Sequence, residues 1–562
     1  MMFRINKQLF NVFAACAITA FGLCGCANED AAANQMEDQQ KGLAFSGLNG
    51  EKSIGTRTGA SYGEINTNHE LGVNFYWSKD DYKHLFINAG TDASPNWLPF
   101  TGQFSVDSTD VYGKKRVTKA SFRCITYPDV YLDQVGWSWQ KKIRYIGTSN
   151  AVSQVNTVTI PRVQKQSEKG FAERIGQYGD CAVATANNLN YSYFPNRPSG
   201  QQYLLTECSF TLQHKAAYLT FMPYNLPGAM ANTYLQWASI YAADKALSGS
   251  YKFDDNGIDT STRPGHAGYR TVRLEIEGNG LPIAKNRMDA RSSAGIMVVA
   301  PGEYDGVVVK MYIKDVSTGN DLTIEKSYAK LELKAGLNQT VFHSLNIPDY
   351  TTNMGLHHMW GAADFYWDEA HPQPTPHEWQ FSSGVGSIPA PAAPNDKWPK
   401  DNSDPRWYST DLEFPSSYIV GGLGNLNVND ASYILNANCY WDANAVWTFD
   451  GHMFKGIMWV PRVTVGHAAA YDGTDWSATA TTKSIAPTLG TPPTGGNYVA
   501  LPALGYYENG ALKDVGKIGC YWINCANPDN DQDEAYSLEV SSIGVKITPA
   551  TSKSKGYLVL RP

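Results

Sequence analysis

The chain has 562 residues, enough for more than one domain, with 46 basic against 53 acidic side chains and a formal net charge of −7. That mildly acidic balance, with no basic stripe, argues against a nucleic-acid partner. Beyond the first residues no segment is apolar enough to span a bilayer, which takes about 20 apolar residues as a helix.

The N-terminus carries Arg4 and Lys7, followed by an apolar stretch from Leu9 to Leu23. Charge followed by a short apolar run is the pattern of a secretory signal. The run ends in Leu23-Cys24-Gly25-Cys26. An aliphatic residue three places before a Cys and a small residue just before it form the bacterial lipobox. Cys26 satisfies it; Cys24 does not, because Leu23 would stand where a small residue is required. Processing there gives a signal peptide over 1–26 and a lipidated Cys26. Each buried acyl CH₂ contributes about 0.8 kcal/mol, so two or three chains anchor durably. Residues 27–42 are polar, with Glu29, Asp30, Glu37 and Asp38, and cannot start an apolar core. They resemble the tether of surface lipoproteins of the Bacteroides group. That resemblance implies display on the outer face of the cell outer membrane.

Next, Leu43 to Leu48 form a short apolar segment, and Arg57 stands in the loop Gly55-Thr56-Arg57-Thr58-Gly59. Leu71, Val73, Phe75 and Trp77 then alternate with other residues, the period of a strand with one buried face. Val272, Leu274 and Ile276 repeat the alternation, as do Val307, Val309, Met311 and Ile313, and then Ala329, Leu331 and Leu333. Turn residues punctuate these runs, and helical periodicity is scarce. Antiparallel sheets packed face to face are the expected solution. Beyond the lipobox six cysteines remain (Cys124, Cys181, Cys208, Cys439, Cys520 and Cys525), and an exported protein can pair them or leave them reduced.

In this order the elements resemble the fimbrillins, the pilins of Bacteroidales type V pili. The lipobox, Leu43–Leu48, the Arg57 loop and the strand from Leu71 carry the likeness. So do Asp180-Cys181-Ala182-Val183-Ala184, the stretch from Phe210 to Leu219, Ala300-Pro301-Gly302-Glu303-Tyr304, and Leu331 to Asn338. The resemblance covers about 40–348. It implies a tether and removable first strand over 27–57, and two tandem transthyretin- or immunoglobulin-like β-sandwiches over 58–200 and 201–348. It also implies assembly with other fimbrial subunits by strand exchange. An Arg-specific protease cuts between Arg57 and Thr58, the first strand leaves, and a neighbour's strand takes its place.

Residues 349–562 have a different texture. Ten of the fifteen Trp lie there, and Pro-rich loops such as 389–394 and 491–496 interrupt the segment. The pattern Pro374-Thr375-Pro376-His377-Glu378-Trp379, the segment Leu501 to Tyr506, Gly519-Cys520-Tyr521-Trp522 and the ending Gly556 to Pro562 are similar to the C-type-lectin-like fold shared by formylglycine-generating enzymes and bacterial surface paralogues. The expected whole is mainly β, two sandwiches followed by an α+β C-type-lectin-like domain.

Within that last domain, aromatic side chains can stack on sugar rings, and most of its Trp are expected to fill the core. Trp398 and Trp407, flanked by Pro, Lys, Asp and Asn, are the expected exposed pair and the candidate ligand-binding residues. Asp529, Asp531 and Asp533 are candidate Ca²⁺ ligands, but Glu534 stands where an EF-hand needs Gly, and a solvated acidic loop is the default. His357, His358, His371 and His377 lack zinc-site spacing. Cys520 and Cys525 match the spacing of a formylglycine-generating pair, yet the Arg-rich segment that follows such a pair is missing. No catalytic residue, metal or cofactor is expected. The chain closes on Leu558 to Leu560, expected in the last domain's own sheet. A subunit that accepts a strand and donates none caps a fibre, so a tip adhesin for host or bacterial surface glycans or proteins is the expected role. The alternatives are a non-polymerising glycan-binding surface lipoprotein and a formylglycine-generating-type enzyme.

Overall fold

The computed structural model describes residues 43–48, 59–64, 71–77, 81–105, 120–133, 139–148, 153–195, 200–373, 379–380, 397–414 and 426–560. The fold is mainly β, with 49 % of the described residues in strands and 8 % in helices. Alternation set this outcome: Val73, Phe75, Val272, Leu274, Val307, Val309, Met311 and Ile313 are all buried in strands whose intervening residues face outward or lie half-buried. The Ala329–Leu333 stretch follows the rule less well, with Leu333 buried but Ala329 exposed.

The first large sheet runs in the order Trp97–Pro99, Leu85–Asn88, Gln140–Tyr145, Ala182–Tyr193, Tyr203–Thr211, Leu43–Leu48, Ala120–Cys124 and Gly102–Ser105. Its inner face buries Phe45, Trp77, Phe122, Cys208 and Phe210 in one aromatic-rich core. A small sheet of Gly59–Glu64 between Leu71–Tyr76 and Phe171–Ala172 belongs to a second core that reaches into the next unit.

That next unit packs a sheet of Val163–Gln166, Thr271–Ile276, Thr233–Tyr241, Gly302–Asp315 and Asp321–Leu333 with one of Gly295–Val299, Ala217–Tyr224 and Asn338–Ser344. Pairing does not follow the expected division at 200/201. Val163–Gln166 pairs with Thr271–Ile276, and Thr157–Ile160 with Gly249–Asp254. Tyr203–Thr211, expected in the second unit, completes the first sheet. The chain crosses and recrosses the junction, so the two units share a core of Phe75, Ile160, Cys181, Tyr218, Phe253 and Val298. At its centre the buried Asp180 accepts hydrogen bonds from Tyr218 Oη at 2.5 Å and from the His214 ring at 2.6 Å, with Phe75 stacked on His214 at 3.8 Å.

The last part forms a sheet of Thr488–Leu489, Tyr440–Phe449, His452–Pro461 and Tyr498–Pro502, and another of Lys483–Ile485, Gly544–Ser552, Glu534–Ser541, Ile518–Ala526 and Leu558–Val559. The α component expected here is slight: among the described residues the α-helix is Val428–Ser432, five residues, and the rest are short 3₁₀ turns. Trp360, Trp367, Trp441, Trp447, Trp476 and Trp522 are buried. Gly456, at φ +96°, is required because a Cβ there would run into the Trp441 indole.

The hairpin joining Tyr440–Phe449 to His452–Pro461 docks this part onto the second sandwich. Its turn residues Asp450 and Gly451 have positive φ, as a tight two-residue hairpin turn demands. The turn delivers Met453, fully buried, into the sandwich core. Met453 N–H donates to Asp315 Oδ2 at 2.7 Å, and its carbonyl accepts from Thr318 Oγ1 and Asn320 Nδ2 at 2.8 and 2.9 Å.

Candidate functional site

The first strand, Leu43–Leu48, lies inside the large sheet. It pairs in parallel with Tyr203–Thr211 on one side and antiparallel with Ala120–Cys124 on the other. Without it, those two strands would each show an open edge. On the inner face Phe45 is fully buried, opposite Cys208 on one neighbour and Phe122 on the other. Its ring meets Phe100 edge-on at 5.0 Å and Tyr127 at 6.5 Å. Leu43 is buried beside Cys124.

The outer face of the same slot is polar. Ala44 stands between Glu207 on one neighbour and Arg123 on the other. Ser46 Oγ donates to Glu207 Oε1 at 2.5 Å, and Asn190 Nδ2 donates to Oε2 at 2.6 Å. Beyond the Arg57 loop the chain resumes as Gly59–Glu64 in a different sheet, the central strand between Leu71–Tyr76 and Phe171–Ala172. Tyr62 there packs edge-on against Phe342 of the second sandwich and accepts from Thr340 Oγ1 at 3.4 Å. The two strands that flank residues 49–58 are therefore held by different parts of the molecule.

The terminal part contains a cleft of about 410 Å³ between the edge strands Tyr498–Pro502 and Leu558–Val559. Its lining includes Tyr350, Leu356, His358, Phe365, Leu501 and Tyr521. Leu356 and Phe365 remain exposed. An apolar cleft of this size with a few polar groups is the usual form of a ligand site.

Of the residues singled out in the sequence, Cys26, Arg57, Thr58, His377 and the 389–394 loop lie outside the described residues. Trp398 and Trp407, expected exposed, are half-buried and pack on the terminal core. Trp398 sits over Gly510 with Lys400 above its ring, and Trp407 lies against Tyr408. Neither lines the cleft.

Among the described residues no group of three His, Cys, Asp or Glu side chains converges as a metal site. Against the backbone of Asp531 and Asp533 lies a cation from the chain itself. Lys553, fully buried, donates to the carbonyls of Ser409, Asp411 and Asp531 at 3.1, 3.0 and 2.7 Å, and lies 4.1 Å over Trp360. Asp533 accepts from Tyr408 Oη at 2.9 Å.

All six described cysteines are free thiols. Cys520 and Cys525, five residues apart on one strand, belong to different cores and face away from each other. Burial pushes both thiols up, Cys525 to about 12, which opposes a thiolate. Leu558–Val559 pairs in parallel with Tyr521 and Trp522 inside the terminal domain's own sheet.

Glu207, Arg123 and Lys553 escaped the sequence reading. Each is one charged residue among many in the chain, and only strand register or packing gives it a partner.

No family model matches the chain. No curated protein matches it. Several solved structures are similar to it. A provisionally assigned cell adhesion protein from Bacteroides ovatus shares 12 % identity over 54 % of this chain and 93 % of its own, with a TM-score of 0.30. Another, from Bacteroides uniformis, shares 12 % over 54 % and 93 %, with a TM-score of 0.26. A fimbrial protein from Bacteroides ovatus shares 10 % over 92 % of this chain and 98 % of its own, with a TM-score of 0.19. Overlaps of this size carry no argument about the role of this chain, which rests on its own strands. No helix among the described residues is long and apolar enough to cross a membrane.

Proposed function

We propose that this chain is a surface-displayed fimbrial subunit. It is exported as a lipoprotein on Cys26, cut between Arg57 and Thr58, and completed by a strand from another subunit. The observation that supports this reading is the first strand. It fills a central slot of the large sheet by pairing on both sides, yet its only covalent tie onward is the segment that carries Arg57.

A cut there frees Leu43–Leu48 from the rest of the chain. Gly59–Glu64 stays behind, clamped by two strands and by Tyr62 on the second sandwich. Each ladder hydrogen bond contributes about 0.5–1.5 kcal/mol net, so the vacated slot would favour a replacement strand over water along its whole length. Leu558–Val559 is engaged in the terminal part's own sheet and is not free to enter a neighbour's slot, which favours a tip position. The terminal cleft is the adhesive site of this reading, for surface glycans or proteins.

Mass spectrometry of protein released from the native cell surface tests the processing step. The expected mature chain begins at Thr58, and Arg57→Ala leaves an acylated Cys26 and no fibre-associated protein. Acylated Cys26 in every wild-type molecule would sink the reading.

A further inference from the structure

We infer that Glu207 and Arg123 select the strand that replaces Leu43–Leu48, restricting it to the order apolar, small and uncharged, aromatic, hydroxyl. The inference rests on the strand-exchange reading above and specifies its partner. The resident first strand is the template, since it occupies the slot with both ladders made.

The inner face sets the first and third positions. Leu43 and Phe45 both point into the core, and the Phe45 site is walled by Phe100, Tyr127, Phe122 and Cys208. A flat ring fills it, with edge contacts to Phe100 and Tyr127 that an aliphatic side chain would not reproduce.

The outer face sets the second and fourth positions. The residue at the Ala44 level has a carboxylate-bearing neighbour on one side and a guanidinium-bearing neighbour on the other. A charge of either sign placed there is attracted by one and repelled by the other, while a small neutral residue is tolerated by both. At the Ser46 level the hydroxyl donates to Glu207 Oε1, and Ser46 is only 8 % exposed. Asn190 holds the other carboxylate oxygen. Asn190 lies on the strand Ala182–Tyr193, which does not leave with the first strand, so Glu207 stays aimed at the slot. An incoming Ser or Thr restores the lost hydrogen bond. An incoming acid puts two carboxylates together, which is the repulsive half of the specificity.

The test uses the full-length chain, treated with an Arg-specific endoprotease, and a fluorescent peptide Leu-Ala-Phe-Ser-Gly-Leu read by anisotropy. A peptide with Glu in place of Ser is expected to bind at least about tenfold more weakly. Glu207→Lys in the protein is expected to reverse that preference, which a general loss of folding cannot do. A peptide with Ala in place of Phe is expected to lose binding on both proteins. Equal affinity for the Ser and Glu peptides on the native slot overturns the selection by Glu207 and leaves strand exchange standing. Retention of none of the peptides on the cut chain overturns both.

Discussion

Lys553 brings a cation of the chain itself beside the loop that holds the candidate calcium ligands Asp531 and Asp533. Its ammonium lies among three carbonyl oxygens, those of Ser409, Asp411 and Asp531, and over the Trp360 ring. Burial lowers its pKa to about 8, which still leaves the ammonium form at neutral pH. Lys553→Met keeps the stem and removes the donors, leaving buried carbonyls unpaired. The expected loss is about 3 kcal/mol, read by urea unfolding through Trp emission; an unchanged midpoint would show that the cage contributes nothing.

His357, in the same domain, is fully buried, and burial lowers its pKa to about 4. In the unfolded chain it takes up a proton near 6.5. Between those values the unfolded state binds more protons, so stability rises with pH. The His357 contribution is complete above about pH 6.5 and is lost as pH falls toward 4, by about 3 kcal/mol. Chemical denaturation at pH 7 and pH 4.5 checks this, with His357→Gln expected to flatten the slope across that window.

At the scale of elements, the first strand owes its position to the Leu43, Phe45 and Ser46 side chains and to two ladders. Phe45→Ala removes a buried ring, at a typical cost of about 3–5 kcal/mol. After the Arg57 cut, the nicked strand should then dissociate about a hundred- to several-thousandfold more readily. Gel filtration of the cut protein, following the released fragment, measures the difference. Equal retention of the two fragments would mean that the inner pocket does not hold the strand.

The run Leu43–Leu48 was legible as an apolar segment from its composition, and as a removable strand only through the fimbrillin resemblance. Its partners were not, because the two neighbours lie about 80 and 160 residues away and register is a property of the sheet. The same limit explains the misplaced boundary at 200/201. Alternation locates strands but does not say which sheet each one joins, and here Val163–Gln166 and Tyr203–Thr211 each join the sheet on the other side.

Across the whole molecule, a buried knob, Met453, and a buried carboxylate, Asp315, help to fasten the terminal domain to the second sandwich, with Lys455 paired to Asp321 and Ala231 N–H donating to Gly451 beside them. Asp315 accepts from Met453 N–H and from the N–H groups of Ser317 and Thr318. A buried, hydrogen-bonded plug restricts relative rotation of two units more than a flexible linker does. Met453→Ala is expected to cost about 2–5 kcal/mol and to split a shared thermal transition into separate ones for the sandwich and the terminal domain. Differential scanning calorimetry decides it: one cooperative transition in both proteins would show that the two units stay coupled without Met453.

The sequence by itself determined the strand-rich character of the chain, the apolar first segment ahead of Arg57 and the core role of most terminal Trp. These follow from period-two patterning and from the tendency of large apolar groups to leave water. Tertiary structure alone decided which strands meet, that Glu207 and Arg123 flank the same slot, that Lys553 binds the Ser409, Asp411 and Asp531 carbonyls, and that Trp398 and Trp407 pack inward. The reason is physical: patterning records whether a side chain is buried, whereas a hydrogen bond or a charge pair depends on residues that only the folded chain brings within a few ångströms.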